Sequence, residues 1–145
     1  MVDWWSKKDA EQFKTRADML TGQYEQFQVF DNLNVNGRLT VVENMGDLGG
    51  LSIAYKAYQL SLKGKKPQQL DSFTAEQRFF IGWSQIWRRN YQKAELKRRL
   101  TIDPHAPSRY RVNGVLSNMP EFYQAFDVKP GDKMYRSEAE RVKIW

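Results

Sequence analysis

Two carboxylates, Glu43 and Asp47, stand four residues apart in the segment Glu43-Asn44-Met45-Gly46-Asp47-Leu48-Gly49-Gly50. On a helix, positions i and i+4 share one face. Two acids held that way repel each other unless a cation sits between or beside them, so the pair reads as a docking face for positive charge. The Gly pair that follows costs about 1 kcal/mol of helix stability per residue relative to Ala. It also strips the helix where another backbone could approach closely. The only His in the chain, His105, lies between Pro104 and Pro107, with Asp103 two residues before it and Arg111 six residues after. A His oriented by an acid can donate to developing negative charge, and a guanidinium fork suits a carbonyl or carboxylate. Each candidate has a plainer reading. Glu43 can be an acid favoured by a helix macrodipole, His105 an ordinary surface residue, Arg111 half of a structural ion pair, and the apolar pair Ile86-Trp87 core packing rather than pocket lining.

Composition narrows the setting. The chain has 145 residues, enough for one domain with a moderate core, and 5 Trp, 7 Tyr and 8 Phe to fill it. There is no Cys, which excludes disulfides, thiolate metal sites and a Cys nucleophile. No apolar run approaches the roughly 20 residues of a membrane-spanning helix, and no leader peptide is visible. The net charge is +6, concentrated in Arg88, Arg89, Lys93, Lys97, Arg98 and Arg99. That run reads either as a solvated helix face or as a patch for nucleic acid or an acidic partner.

The elements that must position these residues are mostly helical. Ser6 can cap a helix over residues 7–28, where Ala10, Phe13, Ala17, Leu20, Tyr24 and Phe27 form one apolar stripe. Asn36-Gly37 signals a turn, and residues 38–41 read as extended or loop. A second helix over 42–62 carries the acid pair and is apolar over most of its surface, so it should be largely buried. Thr74-Ala75-Glu76-Gln77 is a capping box opening a third helix with Phe79, Phe80, Trp83, Ile86, Trp87 and Tyr91. A short basic helix over 93–100, an irregular stretch over 101–108, an extended stretch over 111–117, a helix start at Asn118-Met119-Pro120-Glu121, a turn at Lys129-Pro130-Gly131-Asp132 and a cap at Ser137 complete the reading. The expected fold class is all-α, mainly helical with long loops.

Taken with the motifs around it, the acid pair resembles the third-ligand helix of the neprilysin family of zinc metallopeptidases, which includes the bacterial oligopeptidase O enzymes. The likeness continues through Asp3-Trp4-Trp5, Thr74 to Gln77, Asp103 to Pro107, Arg111-Val112-Asn113-Gly114, Asn118 to Phe126 and Lys129 to Trp145, in the family's order. The resemblance implies the C-terminal part of a zincin-like catalytic domain. Glu43 would bind zinc and Asp47 would orient a zinc-bound His. His105, held by Asp103, would stabilise the oxyanion, and Arg111 would bind a substrate carbonyl. Ile86 and Trp87 would line the pocket for the residue after the cut and favour large hydrophobic side chains. The family's H-E-x-x-H, with two His ligands and the Glu that activates water, is not in this sequence.

The expectation is therefore a C-terminal portion, residues 1–145, of a zinc endopeptidase acting on oligopeptides. Met1 and Val2 would derive from a cut. Alone, it would neither bind zinc tightly nor cleave peptides. Its natural partner would be the remainder of the catalytic domain, without which an exposed apolar patch would drive self-association. The lack of Cys suggests a bacterial source, and the parent would be extracytoplasmic. A basic α-helical binding module is the alternative. Convergence of Glu43, Asp47, His105 and Arg111 in one cleft would favour the peptidase, and scatter would favour the module. Without its imidazole partners, the acid pair should be the least comfortable spot in the fold.

Overall fold

The computed structural model describes residues 4–144. Met1, Val2, Asp3 and Trp145, on which the ends of the resemblance fall, lie outside them. Six helices and one small hairpin occupy the described residues: α1 (Lys7–Glu25), β1 (Gln28–Phe30), β2 (Leu33–Asn34), α2 (Gly37–Ser61), α3 (Ala75–Ile86), α4 (Lys93–Ile102), α5 (Ser108–Leu116) and α6 (Pro120–Phe126). The class is all-α, as the sequence suggests. Ser6 caps α1 through Asp9 N–H, and the Thr74–Gln77 capping box is formed in both directions.

Three local readings are overturned. Asn36-Gly37 is not a turn. The Asn36 side chain accepts from Leu39 N–H and caps α2, which begins five residues earlier than the sequence suggests. The chain reverses instead at Asp31 and Asn32, between two antiparallel strands, with Asn32 at φ 62°. Gly37 is needed for space: a Cβ there would collide with the Thr21 carbonyl of α1. The stretch 111–116 is helical rather than extended: Pro107 leads into α5, Ser117 ends it, and its Gly114 is present because packing leaves no room for a side chain. A Cβ at Gly114 would lie 2.5 Å from the hydroxyl of buried Tyr24.

Helix α2 is also less buried than its composition suggests. Its buried residues are Gly37, Thr40, Asn44, Leu48, Gly49 and Leu51, and all but Gly49 follow one another at steps of three and four. Val42, Ile53 and Leu60 are 69%, 64% and 64% exposed. Their spacings of eleven and seven residues put them within about 20° of one another around the helix. Of the Gly pair, Gly50 does not serve close helix contact, since a Cβ there would meet open space, whereas Gly49 is buried.

The core is built from Leu20, Tyr24, Val35, Leu48, Phe80, Val115, Leu116 and Met119, closed by Val142 and Ile144. A buried polar junction ties the ends of the chain to it. Asn118 donates to Gln23 Oε1 and to the Gly114 carbonyl, and accepts from Val142 N–H, while Gln23 donates to Gly114 and Ser117. Every one of these groups is satisfied, so the junction fixes the register of α1 against α5 rather than weakening the core.

Candidate active site

Two consecutive turns of α2 present Glu43 and Asp47 toward α5 and the loop before it. Arg111, in the first turns of α5, answers Asp47 with a two-pronged contact: Nε donates to Oδ2 at 2.6 Å and Nη2 to Oδ1 at 2.7 Å. The side chains of this pair are only 9% and 12% exposed. Paired guanidinium and carboxylate planes are among the strongest polar contacts available, and burial strengthens their attraction. Arg111 Nη2 also lies 3.9 Å from Glu43. Trp87, the residue that ends α3, packs its ring 4.0 Å from the Arg111 guanidinium carbon and so pins the fork from its face.

His105 closes the other side. Its Nε2 is 3.1 Å from Glu43 Oε2, and its Nδ1 is 2.8 Å from Asp103 Oδ1, which also accepts the His105 backbone N–H. An imidazolium donates to both carboxylates at once; a neutral ring can donate to only one. Asp103 is itself held. Burial raises its pKa, but the His105 backbone and ring donors and the charges of His105 and Arg99 outweigh burial and keep it below the usual carboxylate range. Arg99 donates to Asp103 at 2.8 Å and to Glu95 at 2.8 Å, and Arg98 binds the same Glu95. Polar contacts thus run without a break from Asp47 through Arg111, Glu43, His105, Asp103, Arg99 and Glu95 to Arg98.

The acid pair is therefore not an uncomfortable spot. Arg111, 64 residues from Asp47 in sequence, supplies the missing positive charge, and His105, 62 residues from Glu43, supplies a ring nitrogen 3.1 Å from Glu43 Oε2. All five of Glu43, Asp47, Asp103, His105 and Arg111 converge, and Trp87 joins them. Ile86 does not: it is 63% exposed at the end of α3. A cavity of about 220 Å³ opens beside the cluster, walled by Trp87, Asp103, His105 and Arg111, with Arg89 and Arg99 also lining it. Sequence reasoning assigned no site role to Arg99 and Glu95. Their spacing of four residues from each other, and of Arg99 from Asp103, was the signal available.

The sequence matches the model of peptidase family M13 over residues 1–142. The chain belongs to peptidase family M13. It is 39% identical to membrane metallo-endopeptidase-like 1 of Mus musculus, across all of this chain and 19% of that protein. It is 37% identical to neutral endopeptidase of Lactococcus lactis, over 98% of the chain and 21% of that protein. The fold superposes on the zinc metalloprotease Zmp1 of Mycobacterium tuberculosis, solved with an inhibitor, with a TM-score of 0.96 and 46% identity over the whole chain and 23% of that structure. The chain thus spans about a fifth of the length of these M13 relatives.

Such relatives imply zinc. Among the described residues of this M13 chain, no three His, Cys, Asp or Glu side chains are grouped to hold a metal ion. Glu43 is 40% exposed and has a carboxylate oxygen toward the cluster, which fits one donor of a zinc site. By themselves the residues present do not make the centre.

Proposed function

We propose that this chain forms the C-terminal portion of the catalytic domain of a zinc metalloendopeptidase that hydrolyses oligopeptides. One observation carries the proposal: Glu43, Asp47, Asp103, His105 and Arg111 meet in a single network beside an open cavity, although they come from α2, α5 and the loop between α4 and α5. The remainder of the domain would be the partner that brings the other zinc ligands to Glu43. Zinc, when bound, supplies a Lewis acid that polarises a carbonyl and activates water.

The chain's own residues do the following. Asp103 holds His105 by its Nδ1 and fixes the direction of Nε2. In the intact enzyme, Nε2 turns from Glu43 to the oxygen that gains charge as the peptide carbonyl is attacked. Arg111 is locked by Asp47 and Trp87, and the Nη1 donors that neither carboxylate uses face a substrate carbonyl. Asp47 spends one lone pair per oxygen on Arg111 and has others left for an incoming imidazole donor. Trp87, with exposed Ile86 next to it, gives apolar surface for a substrate side chain.

The test uses the full-length protein that contains this chain and an internally quenched peptide. His105→Gln is expected to lower kcat about 10²–10³-fold with little change in KM, the pattern of a contact made only in the transition state. Unchanged kcat in that variant, or no zinc-dependent cleavage by the parent, refutes the reading. The basic-module alternative is the less supported reading, because it gives no reason for Glu43, Asp47, His105 and Arg111 to converge.

A further inference from the structure

Arg89 is the one member of the basic run that lines the cavity without an ion pair or hydrogen bond to another described residue. Its guanidinium carbon sits 5.3 Å from the centre of the Trp87 ring, and Arg111 packs on the same indole at 4.0 Å. Stacking on an aromatic orients a guanidinium without consuming its edge donors. The other two guanidiniums at the cavity are engaged: Arg111 by Asp47, and Arg99 by Glu95 and Asp103. Arg89 therefore carries the local excess of positive charge among the residues that line a cavity of about 220 Å³. That space fits one side chain, not a nucleic-acid backbone. A lysine entering it would be repelled, and a plain apolar chain would give Arg89 no acceptor. A carboxylate on a short methylene stem meets both needs, with methylenes on the Trp87 indole and oxygens on the Arg89 fork.

We propose that this cavity is an acid-accepting subsite, in which Arg89 receives a carboxylate of the bound peptide. The proposal rests on the peptidase reading and deepens it. The shared chemistry is a peptide carboxylate, whether from a Glu or Asp side chain or from the peptide's own C-terminus.

The experiment compares peptides identical except for Glu or Gln at each position flanking the cleaved bond, each made with a free or an amidated C-terminus. They are assayed with the full-length protein and its Arg89→Ala, Arg89→Lys and Arg89→Glu forms. At one position the parent is expected to favour the Glu peptide about fivefold in kcat/KM, the ratio that roughly 1 kcal/mol of partly exposed ion pairing gives. Arg89→Ala should bring the ratio to about one, Arg89→Lys should keep part of it, and Arg89→Glu should turn it below one, in favour of the Gln peptide. A preference for the free terminus that Arg89→Ala abolishes would also support the subsite and assign it to the chain end. Cleavage with no Arg89-dependent preference of either kind overturns the subsite and leaves the peptidase reading intact. If no peptide is cleaved, the peptidase reading fails. Binding then decides the subsite, by titrating tryptophan fluorescence with the Glu and Gln peptides: tighter Glu binding lost in Arg89→Ala supports it, and equal binding overturns it.

Discussion

Arg111 and Asp47 show how a charge pattern in one helix gains its meaning from a residue far away. Removing one member of a buried, two-pronged pair leaves the other charged and unpaired, which costs several kcal/mol. Arg111→Leu is expected to destabilise the chain by roughly 3 kcal/mol in urea unfolding. Arg111→Lys should recover little, because an ammonium cannot bridge both oxygens of Asp47 and stack on Trp87. A second prediction concerns Glu95, whose pKa the hydrogen bonds from Arg98 and Arg99 hold at about 2. A carboxyl whose folded pKa lies below its unfolded value stabilises the fold above the unfolded value. That contribution is lost as pH falls through the folded one. The Glu95 links should therefore persist through the ordinary Glu range near pH 4.3 and fail only near pH 2. The NMR shift of the Glu95 side-chain carboxyl, followed against pH, checks this. Arg99→Gln should move its midpoint upward. At this scale the candidate site was legible in residue types and spacing, and in the resemblance they carry. The pairing was not, since nothing local tells Arg111 that Asp47 is its partner.

Helix α2 is where element-level reasoning both worked and failed. Its central stretch was visible from periodicity, as were α1, α3 and the Pro-led start of α6. Its first turn was missed because Asn36-Gly37 carries the same letters as a hairpin turn, and only the crossing of α1 decides between cap and turn. The helical state of 108–116 was hidden likewise, since Gly114 lowers helix propensity and is present because Tyr24 occupies its Cβ position. The glycines of α2 give a paired test. Gly37→Ala forces a side chain into the α1 backbone and is expected to destabilise by roughly 2–3 kcal/mol. Gly50→Ala fills open space mid-helix and is expected to stabilise by up to about 1 kcal/mol. Thermal or urea unfolding of the two variants reads opposite signs if the α1–α2 crossing is as described.

At the scale of the whole molecule, Val42, Ile53 and Leu60 on α2 are large apolar side chains left mostly exposed among the described residues. Such surfaces associate. The chain on its own is expected to show a sedimentation coefficient that rises with concentration, and Ile53→Lys should flatten that rise without changing the helical circular dichroism. The apolar composition of α2 suggests a largely buried helix, and these exposed residues are where that expectation fails. The amphipathic count could not tell an inner stripe from an outer one when both are apolar. The polar junction at Asn118 has a different bearing, on how the chain comes to be made. Its hydrogen bonds join Gln23 to residues 91 and 95 positions later, and Arg16 reaches the Ile144 carbonyl 128 positions on. A ribosome adding about 5–20 residues per second needs roughly 5–20 s to travel from Gln23 to Asn118. Throughout that interval Leu20 and Tyr24 have only the α2 side of their core to pack against. The first helix can therefore pack on α2 early, but its buried polar side chain Gln23 waits for α5 and Asn118 before it is satisfied.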